Sequence, residues 1–375
     1  MKILVTGGGT GGHITPILAV VSEIKKIARE KKIPEPEFML ITPDEYFKEA
    51  IELSGIKVRK IRAGKLRRYF DLKNFTDIYK IFVGIVQSLY FIRKFSPDVV
   101  FSKGGFASVP AVFASWLLGI PTVTHESDIT PGLANRINSF FASKVLVSFD
   151  ETQKYFKKDK AVLTGNPIRE DISTGNVERG IKTFGLSDGF PTLLVFGGSQ
   201  GARCINEAVL DSLEVLLSRF NVIHVCGKYN FAAVREAAGK KGVKGIERYK
   251  LYPFLYNEMK DAYAVSDMIV SRAGASSIAE IIEVGKPSII IPLSTSANDH
   301  QAKNAGWLLK KGLAKVIYEK DLNGESLKNE LFELFVNRSA MEEMRRNIVA
   351  YKSSLKGKAA ENVARIILSI EEETR

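Results

Sequence analysis

Cysteine is scarce in this chain of 375 residues. Cys204 and Cys226 are the only two and stand in no metal-ligand spacing, which excludes a disulfide framework and fits a reducing compartment. Long apolar runs are missing too. The longest uncharged stretch, residues 104–124, is broken by Pro110, Gly119 and Pro121 and reads as a buried helix followed by a strand, not a membrane span. No charged-then-apolar leader separates Met1 from the first strand, so no signal peptide is expected. Acid is nearly absent between residues 57 and 94, where Asp71 and Asp77 alone face Lys57, Arg59, Lys60, Arg62, Lys65, Arg67, Arg68, Lys73, Lys80, Arg93 and Lys94. What remains is ordinary globular usage, 45% apolar and 26% charged, with a net charge of +12. The length exceeds what one hydrophobic core usually serves, so two domains are expected.

One device appears twice. An apolar run, then glycines with a hydroxyl residue among them, then a helix, stands at residues 3–13 (Ile-Leu-Val-Thr-Gly-Gly-Gly-Thr-Gly-Gly-His) and again at 193–202 (Leu-Leu-Val-Phe-Gly-Gly-Ser-Gln-Gly-Ala). Glycine lets backbone N–H groups approach an anion, and the following helix turns its positive end to the same spot. Two Rossmann-like halves are implied, one for a nucleotide-activated donor and one for an acceptor. Gly7, Gly9 and Gly12 also match a dinucleotide fingerprint, which makes an NAD-dependent oxidoreductase a rival. That fingerprint wants an acidic residue about 20 positions on, at the end of the second strand. The first candidate, Asp44, lies too far and past a proline.

Strands and helices alternate, which predicts parallel sheets covered on both faces. Strands are expected at 2–6, 37–42, 58–61, 99–102, 122–124 and 144–147, and in the second half at 192–196, 221–226, 245–250, 268–271, 288–292 and 314–318. The seam falls at the turn cluster 164–167, and a final helix near 359–371 is long enough to cross back to the first domain. In the second half, Arg272-Ala273-Gly274-Ala275-Ser276-Ser277 opens a helix that carries Glu280 in its second turn, placed to accept both hydroxyls of a ribose. The polar loop 292–305 follows, with Asp299, His300, Gln301 and Asn304 able to meet sugar hydroxyls. Asp299 and His300 are neighbours without a third ligand, so no metal site is expected, and the chain contains no Asp-x-Asp pair.

The basic segment 57–94 is interleaved with Tyr69, Phe70, Phe75, Tyr79, Phe82, Tyr90 and Phe91. Cations beside exposed aromatics suit an anionic membrane surface. The competing reading puts the aromatics in the core and the charges on a solvated helix face. Nucleic acid is disfavoured because no recognised binding module accompanies the charge.

Seven motifs then follow in a fixed order: residues 8–13, Lys103-Gly104-Gly105-Phe106-Ala107-Ser108, His125-Glu126-Ser127-Asp128, Gly165-Asn166-Pro167-Ile168-Arg169, residues 197–202, Arg272-Ala273-Gly274-Ala275 and residues 301–305. In that order, over nearly the whole chain, the sequence resembles the MurG family of glycosyltransferase family 28, the undecaprenyldiphospho-muramoylpentapeptide N-acetylglucosaminyltransferases of bacterial cell-wall synthesis. The resemblance implies an α/β GT-B fold, two Rossmann-like domains facing a central cleft. Residues 1–165 would face acceptor and membrane, 166–355 would bind UDP-N-acetylglucosamine (UDP-GlcNAc), and a helix at about 356–375 would pack back on the first domain. It implies inverting, metal-independent transfer to the C4 hydroxyl of the N-acetylmuramyl sugar of lipid I, giving lipid II for peptidoglycan and so serving cell shape and division. No cofactor is implied, and the location implied is peripheral, on the cytoplasmic face of the membrane. A UDP-GlcNAc 2-epimerase of the same fold, or a donor-binding or membrane scaffold, are the alternatives.

Carried over residue by residue, the resemblance puts Ser199, Gln200 and the surrounding glycines, with Arg169, on the donor phosphates. It puts the Leu255 backbone on the uracil, Glu280 on the ribose, and Gly274, Ala275 and Ser276 near the donor sugar. Gln301 would read the N-acetylglucosamine hydroxyls, and Thr10, Gly11 and Gly12 also fall on the donor. Gly104, Gly105 and Asn135 would lie at the acceptor, and Lys65, Arg67 and Arg68 at the membrane. His300 stands where the family often has a second glutamine, and Asp128 where many members have asparagine. Attack by the acceptor hydroxyl needs a base. His13 leads on its unperturbed pKa near 6.5. A histidine there could instead orient the loop, which would leave Glu126 or Asp128 as the base.

Overall fold

Short apolar runs rich in Val, Ile and Leu and buried on both faces make strands for the interior of parallel sheets. The computed structural model of the chain describes residues 1–8, 11–43, 51, 54–64, 73–198, 200–355 and 357–374, with side chains at all of these except 11, 73–76, 297 and 371–374. It divides into unit 1, Met1–Arg169 with Gly357–Arg375, and unit 2, Glu170–Lys356.

Unit 1 contains β1 (Lys2–Thr6), β2 (Glu37–Thr42), β3 (Lys57–Lys60), β4 (Val99–Ser102), β5 (Thr122–Glu126), β6 (Lys144–Val147) and β7 (Ala161–Leu163). They form one parallel sheet in the order β3-β2-β1-β4-β5-β6-β7. Unit 2 contains β8 (Thr192–Phe196), β9 (Asn221–Val225), β10 (Tyr249–Tyr252), β11 (Met268–Ser271), β12 (Ser288–Ile290) and β13 (Lys315–Val316), parallel in the order β10-β9-β8-β11-β12-β13. In each sheet the chain order reverses beside the first strand, between β1 and β4 and between β8 and β11. Loops leaving the carboxyl ends of those strands splay to opposite faces and open a crevice, the usual ligand position in doubly wound sheets. Both glycine turns sit there.

In unit 1 the helix Gly11–Glu30 buries Ile14, Ile17, Val21 and Ile24 against β1 and β2, together with Val363, Ala364, Ile367 and Ile370 of the terminal helix Ala359–Thr374. On the other face Ile92 and Phe95 of the helix Lys73–Phe95 pack with Leu4, Met39 and Val100. Three strand expectations are corrected. β7 was not foreseen, being three residues long. The expected strand 245–250 starts late, because Gly245 takes φ +79° and opens a 3-10 turn at Ile246–Arg248. The expected strand 314–318 shrinks to Lys315–Val316, an edge pairing with β12 only.

Candidate active site

In unit 1 the turn after β1 and the loop after β4 lie against one another. A Cβ on Gly7 would stand 3.0 Å from Ile17 Cδ1 and 3.3 Å from Lys103 Cβ, and one on Gly105 would stand 2.6 Å from the Gly8 carbonyl oxygen and 3.3 Å from His13 Nε2. Gly104 and Gly105 take φ of +82° and +79°, a backbone that other residues rarely adopt. Glycine is therefore required there for conformation and for room, and the His13 imidazole lies over the Gly105 backbone. His13 is half-buried, and burial together with the Lys103 ammonium pushes its pKa down to about 4. The unperturbed value expected from sequence is corrected: this imidazole is neutral through the whole neutral range.

Lys103, at the end of β4, is fully buried and carries the polar centre of the unit. Its ammonium lies 2.9 Å from His125 Nδ1 and also donates to Ser127 Oγ. Desolvation pulls the Lys103 pKa down to about 8 although the Glu126 and Asp128 charges act the other way. His125 Nε2 stands 2.9 Å from the Gly165 carbonyl. A carbonyl only accepts, so Nε2 carries the proton and Nδ1 accepts from the lysine. Burial first, then Lys103, holds the His125 pKa well below its ordinary value.

Glu126 binds the loop that follows it. Its carboxylate accepts from the Asp128 N–H at 2.9 Å, the Gly132 N–H at 3.0 Å and Asn135 Nδ2 at 2.9 Å. Burial, then the Asp128 charge, raises its pKa. Asn135 is likewise turned inward: Nδ2 also donates to the His125 carbonyl, and Oδ1 accepts from Thr124 Oγ1 at 3.0 Å. Its amide shapes the loop. Asp128 is half-exposed on that loop, with Thr152 Oγ1 donating to its carbonyl.

In unit 2 the turn after β8 closes with the Gly201 N–H donating to the Gly198 carbonyl at 3.0 Å, ahead of the helix Arg203–Asp211. Gln200 is exposed on it. After β11 the helix Ala275–Val284 starts at Gly274, and half-buried Ala275, Ser276 and Glu280 ride on its first turns. Glu280 Oε2 accepts from the Tyr263 hydroxyl at 2.8 Å. Gln301 Oε1 accepts from the Leu293 N–H at 3.0 Å, closing the loop that leads into the helix His300–Lys310. Leu255 is buried between exposed Phe254 and Tyr256, which stack on one another. Arg169 is half-exposed at the end of unit 1.

Sequence reasoning did not single out Glu319, which joins these loops. Arg272 donates to Glu319 Oε1 at 2.7 Å, and Glu319 Oε2 accepts from the Ser294 N–H at 2.8 Å and from its hydroxyl. Those contacts tie the loop after β11 to the loop after β12, and hydrogen bonds from Cys204, Ser294 and Arg272 outweigh burial to bring the Glu319 pKa down to about 2. Lys103 heads a motif named from sequence but was given no role there. Its signal was a lone lysine ending an apolar run. Thr10, Ser199, Lys65, Arg67 and Arg68 lie outside the described residues, and Gly11 and Gly12 open the first helix of unit 1. Among the described residues no three His, Cys, Asp or Glu side chains converge, and no helix is long and apolar enough to cross a membrane.

Comparison with known proteins matches residues 3–147 to the glycosyltransferase family 28 N-terminal domain and residues 192–363 to the family 28 C-terminal domain. A Clostridium tetani protein named UDP-N-acetylglucosamine–N-acetylmuramyl-(pentapeptide) pyrophosphoryl-undecaprenol N-acetylglucosamine transferase is 41% identical over 90% of both chains. A Clostridium botulinum protein of the same name is 44% identical over 90% of this chain and 92% of its own. Among solved structures, MurG of Acinetobacter baumannii covers 98% of this chain and 99% of its own at a TM-score of 0.75 and 24% identity, a likeness of fold. A UDP-GlcNAc 2-epimerase from Neisseria meningitidis shares the fold at a TM-score of 0.69 and 15% identity over the whole of both chains.

Proposed function

The chain belongs to glycosyltransferase family 28, and within it to the MurG transferases; from that premise we propose that it transfers N-acetylglucosamine from UDP-GlcNAc to the C4 hydroxyl of the N-acetylmuramyl sugar of lipid I. One observation carries the reading, the match at 41–44% identity over 90% of this chain to transferases of that name, and the fold accommodates it with a glycine turn at the switch point of each parallel sheet. The donor sits in unit 2, with its diphosphate at the Gly197–Gly201 turn and its ribose on Glu280. The acceptor sits on unit 1, at the loops carrying His13 and Gly105.

The acceptor oxygen attacks the anomeric carbon from the face opposite UDP. The bond from that carbon to the diphosphate oxygen breaks with its electron pair leaving on UDP, and the configuration inverts. His13 takes the hydroxyl proton. It is neutral and lies beside the Gly105 backbone, so it can accept a proton, and a pKa of about 4 makes it a weaker base than free imidazole. Glu126 carries three hydrogen bonds within its own loop, which favours a positioning role over that of the base. The charge developing on UDP is met by the N–H groups of the glycine turn in unit 2, without a metal ion.

Unit 1 also docks to the anionic inner face of the membrane. The helix Lys73–Phe95 turns Gly84, Ser88 and Ile92 inward and leaves Ile78, Tyr79, Phe82, Val86 and Tyr90 in solvent, with Phe82 68% exposed. Arg93 and Lys94 flank that stripe at its C-terminal end. Apolar burial and cation attraction together suit a peripheral contact. The test of the reaction is product analysis by NMR after incubation with a soluble lipid I analogue and excess chelator. A β-linked disaccharide supports transfer with inversion and without metal. An α-linkage, or loss of turnover to the chelator, overturns the mechanism.

A further inference from the structure

Two of the four histidines of the chain, His13 and His125, belong to unit 1, and His300 stands at the donor loop. The fourth, His224, is fully buried on β9 of the unit 2 sheet, between β8 and the edge strand β10. Its Nε2 is 3.0 Å from Asn206 Oδ1 and its Nδ1 is 2.7 Å from the Tyr249 hydroxyl. Asn206 Nδ2 lies 3.0 Å from the Cys226 carbonyl oxygen, which also accepts from Asn230 Nδ2 at 3.1 Å.

These contacts allow one set of proton positions. The Cys226 carbonyl only accepts, so the NH2 end of the Asn206 amide must face it and the Asn206 oxygen must face His224. Nε2 therefore carries a proton and donates. Burial, which lowers the pKa to about 3, keeps the ring neutral, so Nδ1 bears a lone pair and accepts from Tyr249. The chain of donors runs one way, from the Tyr249 O–H through His224 and Asn206 to the Cys226 carbonyl.

That carbonyl is the floor of the glycine turn. A Cβ on Gly201 would run into the Cys226 carbonyl oxygen, and one on Gly227 would stand 2.7 Å from Gly201 Cα. Gly201 and Gly227 take φ of +76° and +92°, so the two strands of backbone meet through hydrogens alone. Asn206 belongs to the helix whose N-terminus follows the turn. The chain thus holds both the floor of the turn and the helix that springs from it.

We infer that His224, with Tyr249 and Asn206, positions the Gly197–Gly201 turn for the donor's diphosphate. None of the three touches substrate. Each is a positioning residue, and the inference rests on the reading that UDP binds at this turn. His224→Leu removes both bonds of the ring, whereas His224→Gln keeps an acceptor and a donor at similar reach. In His224→Leu, the UDP dissociation constant by calorimetry and the KM for UDP-GlcNAc should rise on the order of tenfold, with the KM for a lipid I analogue within about twofold. His224→Gln should recover most of the loss. Nitrogen-15 imidazole spectra of the wild type should show the Nε2–H tautomer without titration between pH 5 and 8.

Unchanged UDP affinity in His224→Leu overturns the inference, as does an equal rise in both KM values or the Nδ1–H tautomer. Should His224→Leu fail to fold, Tyr249→Phe, which removes a single donor, is read by the same two KM values. Glu280→Ala separates the two failures. UDP affinity lost there but kept in the His224 and Tyr249 variants overturns the positioning role alone, and affinity kept in all of them overturns the donor site itself.

Discussion

Glu280 and Tyr263 share one hydrogen bond, and that fixes how a donor-site test must be built. Each charge-assisted bond from a ribose hydroxyl to the carboxylate contributes about 1.5–3 kcal/mol, so Glu280→Ala should weaken UDP by at least the roughly 10- to 150-fold of one such bond by calorimetry. The alanine variant also removes this acceptor from the hydroxyl of Tyr263, a fully buried residue. Glu280→Gln keeps an acceptor for it and should weaken UDP with little loss of thermal stability; unchanged affinity in both would remove Glu280 from the site. His13 carries a second prediction. Only the neutral imidazole accepts a proton, and with a pKa near 4 the ring stays neutral down to about pH 5. Turnover should therefore be flat from pH 7 to 5 as far as this group decides it, and His13→Ala should lower it on the order of 10² to 10⁴ with UDP binding intact. An acid limb at 6.5 that disappears in His13→Ala would contradict the depressed value. His224 adds a stability test. Its folded pKa, about 3, lies below the unfolded 6.5, so its contribution is full above 6.5 and is lost as pH falls from 6.5 towards 3. Urea unfolding at pH 7 and 5 should show the wild type losing about 2 kcal/mol more than His224→Gln.

At the scale of elements, the strands buried on both faces were legible because their apolar runs have no other home: β1, β2, β4, β6, β8 and β11 stand where the sequence puts them. Edges were less legible. β13 has one neighbour, so pairing ends where its single partner ends, and no residue type announces that. The helix Lys73–Phe95 shows a different limit. An aromatic every third or fourth residue reads alike whether it faces core or solvent, and only the packing puts Phe82 and Tyr90 outside. Replacing Phe82 and Tyr90 together by aspartate should abolish flotation with anionic vesicles and leave turnover on a short-chain soluble acceptor within about twofold. Retained flotation, or equal loss in both assays, would show that this face is not the dock. The site was legible to the same depth. Glycine turns announce themselves by composition, whereas the Glu319 contacts to Arg272 and Ser294 join loops after different strands and leave no local trace.

The whole molecule combines two parallel sheets that share one strand order over their first six strands, and the proposal gives them different substrates. The fold alone is shared with a 2-epimerase at a TM-score of 0.69, so fold does not decide the reaction. What separates the readings is the acceptor: a transferase passes the sugar to a second, lipid-linked substrate, and an epimerase returns its own donor altered. The most direct measurement is incubation of the full chain with radiolabelled UDP-GlcNAc, with and without a lipid I analogue, scored for both lipid-linked disaccharide and label in UDP-N-acetylmannosamine. The account predicts label in the lipid-linked disaccharide only when the acceptor is present, with no epimerised donor. Epimerised donor without acceptor, or no lipid-linked product from protein that binds UDP, would contradict it.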